Sequence, residues 1–85
     1  MNKEEIQNGV FETIEIIKGD VGRRRVDDFA EPLTGSRYNM SERDLVYLLL
    51  ELTKKFKVQF EKEDIMAYRM QSINGVTEVL QKKLL

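Results

Sequence analysis

Leu45, Leu48, Leu49, Leu52 and Phe56 fall at i, i+3, i+4, i+7 and i+11 within the stretch YNMSERDLVYLLLELTKKF. A period near 3.6 gathers them on one face of an α-helix, whereas a strand, alternating with period two, would scatter them over both faces. Val46, Tyr47 and Leu50 widen the stripe until little of the first two turns is polar. A helix apolar nearly all round is expected at the centre of a bundle, packed by neighbours on several sides. Ser41 stands at its mouth with Asp44 three residues on, a shortened capping box. Lys54 and Lys55 close it, where cations suit the negative pole of the helix dipole.

The rest of the chain supplies partners for that helix. Ile6, Val10, Phe11, Ile14 and Ile17 form one apolar stripe of a first helix, which Gly19 and Gly22 stop. The stretch GDVGRRRVDDFAEPLTGSR then reads as a long connection tied down by Val26, Phe29 and Leu33, with a short helical turn at Val26 to Ala30. Pro32 rules against a regular helix through that point. After the second helix, Val58 and Phe60 alternate inward and EKEDIMAY makes a short helix with acidic residues at its positive pole. Ser72 caps a last helix, whose apolar face is Ile73, Val76, Val79 and Leu80. Gly75 weakens that helix by roughly 1 kcal/mol relative to alanine unless it permits close packing. The expected fold is all-α, a small helical bundle of three main helices and one short one, with a long first loop.

Eighty-five residues make a single domain, 1–85, near the lower limit for an unaided hydrophobic core. The chain has no cysteine, so disulfides, thiolate metal sites and cysteine nucleophiles are all absent, as suits a cytoplasmic protein. It has no histidine either, so the commonest general base and metal ligand is missing. Carboxylates are plentiful, but no apolar run isolates a pair of them, and catalysis is not expected. The start MNKEEIQNGVFETIEII lacks the apolar core of a signal peptide, and the run Leu45 to Leu50 is too short to span a bilayer. A net charge of −1 argues against nucleic acid as an electrostatic partner. A monomer with neither a membrane nor a nucleic-acid partner is the expectation.

The order of these elements resembles the acyl carrier proteins. A helix, a long loop, a leucine-rich second helix ending in Phe56, a short acidic helix and an amphipathic last one match that family's layout over nearly the whole chain. The likeness is most specific from Tyr38 to Phe60 and from Ile73 to Leu80. In that family the second helix opens with Asp-Ser-Leu, and the serine receives 4′-phosphopantetheine from coenzyme A, whose thiol carries an acyl, aminoacyl or peptidyl group. The resemblance therefore implies a carrier in fatty-acid or secondary-metabolite biosynthesis or in peptide maturation. Its partners would be a phosphopantetheinyl transferase and acyl- or peptide-processing enzymes. An exposed hydroxyl at a helix N-terminus is all the carrier must provide, since that end favours a phosphate.

This chain departs from the family at that motif. Anchored on Phe56 without a gap, with Val46 and Leu48 on family apolar positions and Met40 just ahead of the motif, Asp-Ser-Leu falls on Ser41, Glu42 and Arg43. A shift of one residue restores a serine at Ser41 and loses the register downstream. Ser41 thus has two readings: a helix cap only, or a cap that is also the attachment site. Ser36 in the preceding loop is the weaker candidate. Without the arm, the fold would serve as a protein-docking module, with Glu42, Arg43 and Tyr47 as partner-binding residues. The mixed charges of the second helix predict weak steering toward the family's usual partners, and Arg23, Arg24 and Arg25 add a basic cluster in the first loop. Leu45, Leu48, Leu52, Phe60, Met66 and Met70 either line an acyl pocket or form an ordinary core; for a chain this small, core is the favoured reading.

Overall fold

The computed structural model describes residues 2–19, 21–22, 26–66 and 71–84. Helix α1 spans Lys3–Lys18, a 3₁₀ helix Val26–Ala30, α2 Glu42–Phe56, α3 Lys62–Met66 and α4 Ile73–Leu84. No strand occurs among the described residues, so the fold is all-α, with three longer helices and one of five residues. None of these helices is long and apolar enough to cross a membrane.

Local chemistry explains where each helix begins and ends. The Asn2 side chain accepts a hydrogen bond from the Glu5 amide at 2.8 Å and opens α1. Gly19, at φ +82°, closes it, its N–H donating to the Glu15 carbonyl at 2.7 Å. Ser72 accepts from the Gly75 amide at 3.0 Å and caps α4, as the sequence predicts. The turn expected at Val26 to Ala30 is the 3₁₀ helix. Of the segment EKEDIMAY, Lys62–Met66 is helical, while Ala67 and Tyr68 lie outside the described residues.

Helix α1 buries Ile6, Val10, Phe11 and Ile14, with Ile17 packed against the core's edge. Helix α4 answers with Ile73, Val76, Val79 and Leu80, all buried, and Gln7 Nε2 donates to Asn74 Oδ1 at 3.2 Å across the α1–α4 interface. Helix α2 runs antiparallel to α1. Lys18, at the end of α1, pairs with Asp44 at the start of α2, and Glu12 pairs with Lys55 near its close, each at 3.2 Å. These pairs set orientation more than stability, since exposed ion pairs are worth about 0–1 kcal/mol. Both α2 and α4 pack on α1, so among the described residues α1 is the central helix.

That corrects the expectation for α2. It buries Leu48, Leu52 and Phe56 and leaves Val46, Tyr47 and Leu50 on its outer side, 56%, 51% and 52% exposed. An apolar sequence states what a helix can bury; the neighbours decide what it does bury. The two inner faces meet very closely at Gly9 of α1, where an added Cβ would stand 2.7 Å from Phe56 Cζ. No larger residue fits there without displacing the Phe56 ring.

The long connection is pinned from within. Phe29 and Leu33 are buried as expected, Phe29 beside Phe11 at 6.2 Å between ring centroids. Tyr38 and Met40 are two further buried anchors. The Tyr38 hydroxyl donates to the Asp28 carbonyl at 3.2 Å, and burial pushes its phenol above its ordinary pKa. Arg37 lies 4.8 Å over the Tyr38 ring, pairs with Asp28 at 3.0 Å and donates to the Val21 carbonyl. The Met40 amide reaches the Leu33 carbonyl at 2.9 Å and the Leu33 amide that of Gln71 at 2.7 Å, so the loop is stitched to itself and to the approach of α4. Val26 opens the 3₁₀ helix, and its side chain and Arg23, Arg24 and Arg25 lie outside the described residues.

Candidate functional site

Ser41 takes an extended backbone, φ −83° and ψ 172°, and turns the chain into α2. Its Oγ accepts from the Asp44 amide at 3.2 Å, and its own N–H donates to Asp44 Oδ2 at 2.9 Å. Both halves of the capping box are therefore formed. Asp44 Oδ2 also accepts from Lys18 Nζ at 3.2 Å. The Ser41 N–H, and then Lys18, hold the Asp44 carboxyl below its ordinary pKa. Met40 and Leu45 occupy the flanking positions of a hydrophobic staple, Met40 buried and Leu45 half-buried against the core. Ser41 is thus built into the junction of α1, the loop and α2, and remains exposed to solvent.

The chemistry open to this corner is limited. Asp44 meets the Ser41 amide, the Ser41 hydroxyl and Lys18, and the chain has no imidazole to take the hydroxyl proton. Ser36 is exposed too, in the turn after Pro32, where the Gly35 amide donates to the Pro32 carbonyl at 3.0 Å. It lies outside any helix terminus. Among the described residues no group of three or more acidic side chains is placed to hold a metal ion.

Glu42, Arg43 and Tyr47 are all exposed on the first turns of α2. The structure sorts the six candidate lining residues differently. Leu48 and Leu52 are core, 1% and 0% exposed, and Leu45 packs against that core. Phe60 is half-buried at the core's edge. Met66 ends α3 with its side chain outside the described residues, and Met70 lies outside them altogether. For Leu48 and Leu52 the core reading holds.

A groove does exist, on the other side of α2. Val46, Leu49, Leu50 and Thr53 form one wall, Gln59 and Phe60 the other, around about 390 Å³ open to solvent. Lys83 stands behind it, 5.9 Å from the Phe60 ring centroid and 2.8 Å from Asp64, tying α3 to α4. Sequence reasoning missed this feature. Its signal was the surplus of apolar residues on α2, which was read as all-round burial when the same surplus also describes an open face. No protein-family model, curated protein or solved structure matches the chain.

Proposed function

We propose that this chain is a non-enzymatic docking module on an acyl-carrier-like helical fold, which presents the outer face of α2 to an acyl-, aminoacyl- or peptide-processing enzyme in the cytoplasm. One observation carries the reading. Val46, Tyr47 and Leu50 are three of the five large hydrophobics exposed among the described residues, and they fall within roughly 100° of arc on one helix. Scattered exposed apolar residues need no explanation, whereas three on one face beside a groove mark an interaction surface. The test is calorimetric binding to acyl- and peptide-processing enzymes, using the parent, Leu50→Asp and Ser41→Ala. Binding lost in Leu50→Asp and retained in Ser41→Ala is expected. Binding that survives both Leu50→Asp and Tyr47→Asp refutes the docking face.

A second reading has Ser41 carrying 4′-phosphopantetheine. Its exposure favours this. A phosphate there would sit at the positive end of α2, which compensates part of the charge of Glu42 and Asp44. Intact mass after incubation with coenzyme A and a broad-specificity phosphopantetheinyl transferase separates the two readings. A gain of one phosphopantetheine on the parent and on Ser36→Ala, absent from Ser41→Ala, makes the chain a working carrier. An unchanged mass leaves the docking module without an arm.

A further inference from the structure

From Lys57 to Asp64 no residue is buried: Val58, Phe60 and Asp64 are half-buried and the others exposed, whereas Phe56 just before and Ile73 at the start of α4 belong to the core. The segment begins on a strained residue. Lys57 closes α2 at φ 55° and ψ 46°, a left-handed conformation that glycine adopts freely and a side chain with a Cβ does not. The chain then passes through Gln59 and Phe60, the far wall of the groove, into α3. Five residues make little more than one turn, and a helix so short persists only through ties to the rest of the fold. Asp64 Oδ2 accepts from the Glu61 amide at 2.7 Å and opens that helix, and the Asp64 amide reaches the Glu61 carbonyl at 3.0 Å. One side chain meets both the wall and the helix: Lys83, in the last turn of α4, sets its Nζ 2.8 Å from Asp64 Oδ2 and 5.9 Å from the Phe60 ring centroid. Lys18 grips Asp44 in the same way, but α2 also has Leu48, Leu52 and Phe56 buried to hold it.

We propose that residues 58–66 form a strap that opens as a unit, with Lys57 as its hinge and the Lys83 ammonium as its latch. Opening breaks the contacts of Lys83 with Asp64 and Phe60 together. It carries Phe60 away from Leu49 and Leu50 on the opposite wall, so the groove becomes a wider cleft. Hinges lie at the ends of elements, where one or two residues absorb the change in φ and ψ. Release of Lys57 from its left-handed conformation offsets part of what is lost with the latch. The use of the strap as a gate rests on the docking reading of α2, whereas its opening does not.

Native-state amide hydrogen exchange, followed by NMR on the whole chain, tests it. The Glu61 and Asp64 amides report on the strap, being hydrogen-bonded within it, and the interior amides of α1 and α4 report on the whole fold. Lys83→Met keeps an apolar stem and removes the charge; exchange at Glu61 and Asp64 is expected to speed up by about tenfold. Lys83→Arg keeps the charge and should return these amides to near the parent rates. Lys57→Gly removes the strain from the closed state and should slow them. Ile14→Val, in the core of α1, weakens the fold as a whole and should speed the interior amides of α1 and α4 while leaving Glu61 and Asp64 unchanged. If Glu61 and Asp64 instead accelerate with the interior amides in Ile14→Val, they exchange only when the whole fold opens, and there is no strap. Parent rates at Glu61 and Asp64 in Lys83→Met overturn the latch, and parent rates in Lys57→Gly overturn the hinge. No partner enters these measurements, so a failed strap leaves the docking face standing, and a refuted docking face leaves the strap.

Discussion

Gly9→Ala measures how tightly α1 and α2 are locked. An added Cβ would stand 2.7 Å from Phe56 Cζ and 3.3 Å from Lys55 Cε. Carbon atoms rest at about 3.5–4.0 Å, so the ring must retreat by about 1 Å. The lysine tip is flexible and yields at little cost, but Phe56 is only 6% exposed and is held by the core. Overpacking of this kind costs about 1–3 kcal/mol, while replacing a mid-helix glycine by alanine returns about 1 kcal/mol. The net expectation is a loss of about 1 kcal/mol, or a fall in Tm of about 4–8 °C for a domain of this size. Urea unfolding followed by circular dichroism gives the number, with Phe56→Leu as the second arm. Leucine lacks the offending Cζ, so in that background Gly9→Ala should become neutral or stabilising, a coupling of about 1–2 kcal/mol. If Gly9→Ala alone raises stability, and the coupling to position 56 is zero, the close approach of the two helices is wrong.

The neighbouring leucines of α2 should diverge. Leu48→Ala, at a position 1% exposed, should cost about 2–5 kcal/mol, whereas Leu50→Ala, 52% exposed, should stay within about 0.5 kcal/mol; equal losses in urea unfolding would contradict the assignment of the two faces. Ser41→Ala removes the Oγ acceptor of the Asp44 amide and should cost about 1 kcal/mol, while Ser41→Asp, also a capping side chain, should hold the parent Tm. A large drop in Ser41→Asp would show that this is no ordinary helix start. Asp44 has a folded pKa below its ordinary 3.8, so its contribution is present above that value and is lost as pH falls through the lower folded one. Thermal melts of the parent and Asp44→Asn should therefore differ most at neutral pH and converge in acid; a constant difference would rule out the ionised carboxylate as the cause.

Much of the candidate site was legible because it is local. A serine followed three residues later by an aspartate, ahead of an apolar run, predicts a capping box with no knowledge of the rest of the chain, and Ser41 and Asp44 form one. The same holds for Ser72 and for the stop at Gly19. The groove was not legible, since its walls come from α2 and from Gln59 and Phe60 beyond it, and only the turn at Lys57 brings them together. Leu49 and Leu50 illustrate the limit. They are adjacent in sequence and equally apolar, yet Leu49 packs against the core and Leu50 is open.

By itself the sequence determined the three longer helices, the stop of α1, the starts of α2 and α4 and the inward faces of α1 and α4, because a 3.6-residue period and a cap are written within a dozen neighbouring residues. It also determined which groups are unavailable, with no histidine or cysteine anywhere. Only the tertiary structure decided that α1 is the hub, that Tyr38 and Met40 anchor the loop, that Gly9 must be small, and that the apolar surplus of α2 faces outward. Each of these depends on what arrives from elsewhere in the chain: Phe56 reaches Gly9 across more than forty residues, and no period within either helix records that meeting. A helix carries the capacity to bury a face; the packing of distant segments chooses which face is buried and which is left exposed.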